Sequence, residues 1–208
     1  MCSSDLFPSH DRVFARALNK KQKQFEAVGF IKPGGRAQQV LDKKNIDGEK
    51  LKKEDVLVIV CGANDVAANE AAVALTAITV TLEEATQTQT QVVLVDLPKR
   101  YDLLEWSCVN HEVNKTNKHL EEISAKFENV TLVEASKAGR SLHTSHGLHL
   151  NSSGKNWLAD QILKAVSRQT KGSESPQLSL SVDDGQLVPP GTESPPENYK
   201  LLTVETIS

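Results

Sequence analysis

The chain has 208 residues, 38% of them hydrophobic and 25% charged, with a formal net charge of -3. That length suits one globular domain able to bury a sizeable core. The charge balance, with no basic patch interleaved by aromatics, gives no indication of nucleic acid. The three cysteines, Cys2, Cys61 and Cys108, are widely spaced. They form neither a disulfide framework nor a zinc knuckle, and they read as reduced thiols. No apolar run approaches the roughly 20 residues of a membrane span. The N-terminus MCSSDLFPSHDR has no apolar signal-peptide core, so the chain is expected to be cytoplasmic.

In chain order, Val13, Phe14, Ala17 and Leu18 mark a first helical pattern. FEAVGFIK (25 to 32) is a weak strand, and VLVIVCG (56 to 62) is a strong one. An Ala-rich helical pattern follows Asn69, and QVVLVDLP (91 to 98) is the next strand. Val109, Val113, Thr116, Leu120, Ile123 and Phe127 form an apolar stripe over residues 107 to 127. NVTLVEAS (129 to 136) is a further strand. The last helix is expected to start at a Ser152 or Ser153 cap and to carry Leu158, Ile162 and Val166. The strand runs are continuous and β-branched, as burial on both faces of a parallel sheet requires. Strands alternating with helices predict a three-layer α/β fold with helices on both faces of a parallel sheet.

From Lys171 onward six acids stand against two bases, amid many Pro and Ser. Averaged over its length, this segment has too little apolar surface to offset its ordering entropy. The expected organisation is a domain over residues 1 to 170 and a disordered tail over 171 to 208.

Ligands of open parallel sheets bind beyond the carboxyl ends of the strands. The segments to inspect there are PGG (33 to 35), CGAND (61 to 65), DLPKRYD (96 to 102) and the stretch after Ser136. Asn64 can present an amide to a developing oxyanion; the alternative is an Asx turn. The PGG turn can offer backbone N–H groups to an anion, or serve only as a turn. HTSHGLHLNSSGK (143 to 155) holds His143, His146 and His149. Gly147 and the helix cap make this stretch a loop, and no Cys or acidic residue lies near enough in sequence to complete a zinc shell. No metal or other cofactor is therefore expected. Ser9 stands just before a helical pattern, where a hydroxyl is an N-cap or a nucleophile favoured by the helix start.

Taken in order, Ser9, PGG, Gly62-Ala63-Asn64-Asp65 and HGLHLNSSGKNWLADQI resemble the blocks of the SGNH/GDSL hydrolases. The GxND block is matched outright. The closing segment is similar to DGxHLNxxGxxxLA with one change, and the HGLHLN form resembles SGNH-like domains of mobile-element open reading frames. The resemblance implies a flavodoxin-like three-layer sheet and an ester or acetyl hydrolase acting on a small-molecule ester. In that scheme Ser9 is the nucleophile and His149 the general base. The oxyanion hole comprises the Ser9 N–H, a Gly34 or Gly35 N–H and the Asn64 side chain.

Two departures qualify it. Phe7-Pro8-Ser9 stands where the family has Gly-Asp-Ser, and His146 stands where it has the carboxylate of the triad. The implied catalyst is a Ser–His dyad, with His146 as an orienting residue. The alternative is a catalytically impaired module that binds an acylated ligand or a protein partner. Nucleic-acid binding by a mobile-element accessory protein is a third reading, which charge and composition do not favour. MCSSDLFP is short and polar for a buried central strand, so the first strand is expected to be degenerate or cut off upstream.

Overall fold

The computed structural model describes residues 13–22, 25–47, 51–172 and 199–207. The elements are α1 (Val13–Lys21), β1 (Phe25–Pro33), α2 (Ala37–Val40), α3 (Lys43–Asp47), β2 (Val56–Val60), α4 (Ala63–Ala67), α5 (Ala71–Gln87), β3 (Gln91–Val95), α6 (Cys108–Ser124), β4 (Val130–Val133), α7 (Ser152–Gly172) and β5 (Tyr199–Ile207). Two 3-10 turns, Ala135–Lys137 and Arg140–Leu142, lead from β4 toward α7.

The five strands form one sheet in the order β1-β5-β2-β3-β4, and every pairing is parallel. Alternation of side chains along each strand divides the core in two. Leu57, Ile59, Val92, Leu94, Leu202 and Val204 pack against Ile78 and Leu82 of α5 and Val113 and Leu120 of α6. Val56, Val58, Val93, Val95 and Leu201 pack against Ala15 and Leu18 of α1 and Leu158, Ile162 and Val166 of α7. The three layers expected from the sequence are thus present. At about 25 cal/mol per Å² of apolar surface, these two aliphatic faces are the main favourable contribution to folding.

The tail expectation is overturned for residues 199–207. They form β5, which lies between β1 and β2. Phe25 through Pro33 pair with Tyr199 through Ile207 on one side, and Val56 through Val60 pair with Leu201 through Glu205 on the other. The boundary at 170 also moves, because α7 runs to Gly172. Averaging over a Pro- and acid-rich segment concealed a short run, Leu201-Leu202-Thr203-Val204, that is fully buried. Flavodoxin-like sheets have the order 2-1-3-4-5. This sheet has that order with its last strand in the slot of the first. The slot that the first strand takes in that order is filled here by β5. Residues 1–12 lie outside the described residues.

Helix α1 runs antiparallel to β1. Asn19 Oδ1 accepts from Ala27 N–H at 2.8 Å and Asn19 Nδ2 donates to Ala27 O at 2.9 Å, while the Ala15 methyl lies against Gly29. The start of α1 consequently faces the carboxyl edge of the sheet.

Candidate active site at the carboxyl edge

A cavity of about 350 Å³ opens at the carboxyl ends of β2, β3 and β5. Its walls are largely aliphatic, with Val60, Val95, Leu97, Val113, Leu148 and Leu158 among them. Asp96, Arg100, His149, Lys155, Glu205 and Thr206 supply the polar groups.

The loop after β3 is pinned from α6. Asn117 accepts from Leu97 N–H at 2.9 Å and donates to Leu97 O at 2.8 Å. Asn110 accepts from Arg100 N–H and donates to the carbonyls of Arg100 and Leu104. An amide side chain offers one acceptor and two donors, so each Asn acts as a substitute backbone partner. Asp96 accepts from Ser136 N–H at 2.8 Å and Ser136 Oγ–H at 2.6 Å. Burial pushes its carboxyl up to about 6 in spite of those hydrogen bonds.

His149 reaches the cavity from a loop held at both ends. Thr144 N–H donates to His149 O at 2.8 Å, and Asn151 Nδ2 donates to the carbonyls of Ser141 and His143. Asn151 Oδ1 accepts from Gly154 N–H at 2.9 Å. The cap of α7 is thus Asn151, not the Ser152 or Ser153 expected. Gly147 has φ +85°, and a Cβ there would meet the Tyr101 carbonyl carbon at 2.6 Å. Only glycine suits that backbone and that approach, and Tyr101 N–H donates to Gly147 O across it. Partial burial, reinforced by the Lys155 and Arg100 charges, lowers the pKa of His149, with Asp102 opposing. The imidazole is therefore neutral near pH 7, the state a general base requires.

The other two histidines go elsewhere. His143 is buried, with Nδ1 3.0 Å from Gly139 O and its ring edge-on to Tyr101 at 4.7 Å. His146 is exposed. Among the described residues no group of three or more His, Cys, Asp or Glu stands close enough to hold a metal.

The GAND and PGG blocks are brought together. Gly62, at φ +105°, turns the chain from β2 into α4, and Asn64 Nδ2 donates to Gly35 O at 2.9 Å. Gly35 N–H is engaged by Lys32 O at 3.0 Å. Gly34 has φ +65°. Asn64, Gly34 and Gly35 are not among the cavity's walls, although Ala63 is. Asp65 is fully buried and accepts from Ala37 N–H, which ties α4 to the start of α2. Arg100 binds Asp102 through two 2.7 Å hydrogen bonds at the cavity mouth. Ser9 lies outside the described residues. Glu205 and Thr206, the cavity residues at the end of the central strand, were hidden by the reading of the tail. Lys155, in the first turn of α7, also lines the cavity, and no sequence signal singled it out.

A parallel sheet in this order, with GxND after one strand and HLN before the last helix, is the SGNH hydrolase fold. No protein-family model matches the chain, and no curated protein matches it. Solved structures do. An acetyl xylan esterase, AlAXEase, is similar with a TM-score of 0.61 at 17% identity, covering 74% of this chain and 88% of that one. A GDSL-like lipase from Bacteroides thetaiotaomicron VPI-5482 is similar with a TM-score of 0.56 at 17% identity, covering 74% and 98%. A catalytic mutant of an acetylxylan esterase from Geobacillus stearothermophilus is similar with a TM-score of 0.52 at 13% identity, covering 64% and 68%.

Proposed function

We propose that this domain hydrolyses small acyl esters in the carboxyl-edge cavity. The observation that carries the reading is the placing of the His149 imidazole in the lining of a largely aliphatic cavity, together with Glu205 and Thr206 at the end of β5. The esterase and the lipase among the similar structures support the same chemistry.

In this reading Ser9 is the nucleophile. Helix α1 begins shortly after it, at the carboxyl edge. The Ser9 hydroxyl gives its proton to His149 as its oxygen bonds to the ester carbonyl carbon. The imidazolium returns the proton to the departing alcohol; water, deprotonated by the same imidazole, then attacks the acyl carbon, and the imidazolium protonates Ser9 Oγ as the acyl–oxygen bond breaks and the acid leaves. The reading assigns the oxyanion to the Ser9 and Gly34 N–H groups and the second Nδ2 hydrogen of Asn64, and so requires it to sit where the cavity borders Ala63, beside these groups and not within the aliphatic walls. Gly35 N–H is excluded from that set because Lys32 O already engages it. No helix among the described residues is long and apolar enough to cross a membrane.

Fluorophosphonate labelling and p-nitrophenyl acetate turnover test the proposal. Wild type is expected to label and turn over, Ser9→Ala to do neither, and His149→Ala to lose roughly 10²–10⁴ in rate. Absence of both labelling and turnover in the wild type overturns it.

One observation favours a second reading, a binding module without turnover. The carboxylate nearest His149 in charge terms, Asp102, is engaged twice by Arg100. A triad carboxylate would instead hold the imidazole's tautomer and stabilise the imidazolium. This reading expects ligand binding unchanged in Ser9→Ala and no covalent adduct by mass spectrometry.

A further inference from the structure

The end of β5 carries a group that hydrolysis by Ser9 and His149 does not use. Glu205 is only 2% exposed, yet it lines the cavity, and its Oε1 has no hydrogen-bond partner among the described residues. Thr206 Oγ1, on the next residue and in the same cavity wall, is also buried without a partner. Buried polar atoms in folded proteins are normally satisfied, because an orphaned one forfeits its hydration. Two orphans in consecutive residues of one cavity wall point to a group that enters from the cavity.

We propose that Glu205 is the recognition residue for the ligand, donating its carboxyl hydrogen to a carbonyl oxygen of an uncharged short-chain acyl compound, with Thr206 Oγ1 as a second contact. This rests on the reading of the cavity as the ligand site, but not on hydrolysis. The aliphatic walls take the acyl chain and the carboxyl takes the oxygen.

The protonation state agrees. Burial pushes the carboxyl up to about 8, opposed by a hydrogen bond from Thr203 and the positive charge of Lys155. Below that pH the group is a neutral donor; above it, a carboxylate that repels a carbonyl oxygen. The titratable groups that share its cavity are Lys155 on α7, His149 on the loop before α7, Asp96 and Arg100 after β3 and Cys61 after β2. Burial holds the Cys61 thiol protonated far above neutrality, and Asp96 titrates at about 6. Neither loses a proton in the range where Glu205 does.

The experiment is an NMR chemical-shift titration with N-methylbutyramide, an acyl carbonyl that ester chemistry leaves intact. Wild type is expected to bind at pH 6.5 and about tenfold more weakly at pH 9. Glu205→Gln keeps a donor that does not titrate, so its affinity should be equal at the two pH values. Glu205→Leu should bind at least about tenfold more weakly than wild type at pH 6.5 while melting no lower, because it removes an unpaired buried polar group. Full affinity in Glu205→Leu overturns the proposal, and so does a pH loss in Glu205→Gln as large as that of wild type. Should the Leu variant fail to fold, the Gln profile decides. Absence of esterase turnover leaves this readout intact, and a failed amide titration leaves the labelling result intact, so the two readings fail separately.

Discussion

The loop after β3 and the end of β5 lie at the same edge of the sheet, and both bury polar side chains. Asn110 is 1% exposed and Glu205 2% exposed. Asn110 nevertheless makes three hydrogen bonds to the backbone of the 96–104 loop, and Asp96 accepts two from Ser136. Glu205 Oε1 and Thr206 Oγ1 have none among the described residues. Burial alone therefore does not mark a binding group. Where the partners are internal, a buried polar residue is scaffolding; where they are missing and a cavity adjoins, it is a contact waiting to be made.

The harshest way to break this contrast is to remove residues 199–208. That deletes Leu201, Leu202 and Val204 from both core faces and leaves β1 and β2 with unpaired facing ladders. The shortened chain is expected to show no cooperative urea transition by circular dichroism. A transition like that of the full chain would show that β5 is not integral to the sheet. Next in size, Asn110→Ala orphans one N–H and two carbonyls of the loop. It should cost on the order of 3 kcal/mol in urea denaturation. A loss below about 1 kcal/mol would mean that the loop is not held from α6.

The third test sharpens the Glu205 side. Its folded pKa is raised above the ordinary 4.5 to about 8. As pH rises, the unfolded chain therefore releases this proton first, and stability falls between those values. Asp96 contributes the same sign, but only up to about 6. Between pH 6.5 and 8 wild type should lose on the order of 1–2 kcal/mol from Glu205, and Glu205→Gln should not. Melting temperatures across that window check it, and parallel curves for the two proteins would refute it. The smallest effect belongs to the surface. Lys21 and Asp160 pair at 2.6 Å between α1 and α7, with Asp160 about half exposed. Lys21→Ala should cost under about 1 kcal/mol, measured by the same denaturation.

Four of the five strands and the long helices could be read from local pattern. β2 and β3 are continuous β-branched runs, and the apolar stripe of α6 has a period of 3.6. Composition is a property of windows, however, and β5 is nine residues in a segment dominated by Pro, Ser and acids. Its position follows from pairing Phe25 with Tyr199, a contact no local period encodes. The site divides the same way. His149 at the cavity follows from its place before the last helix. Asn64 and the PGG turn meet, but the sequence does not reveal that the amide is turned onto Gly35 O. The capping role of Asn151 was masked by two adjacent serines that are equally good caps on propensity. Glu205 and Thr206 became visible only once their strand was placed.

Because β5 fits between two earlier strands, assembly has a fixed timetable. The ribosome releases β1 and β2 long before Tyr199 emerges, and the slot between them stays open meanwhile. Such non-local parallel contacts are slow to form, since loop closure precedes any gain from pairing. Two exposed edges during that interval are templates for other chains. The nascent polypeptide is thus most vulnerable to aggregation just before β5 arrives, and a chaperone that shields strand edges would act in that interval.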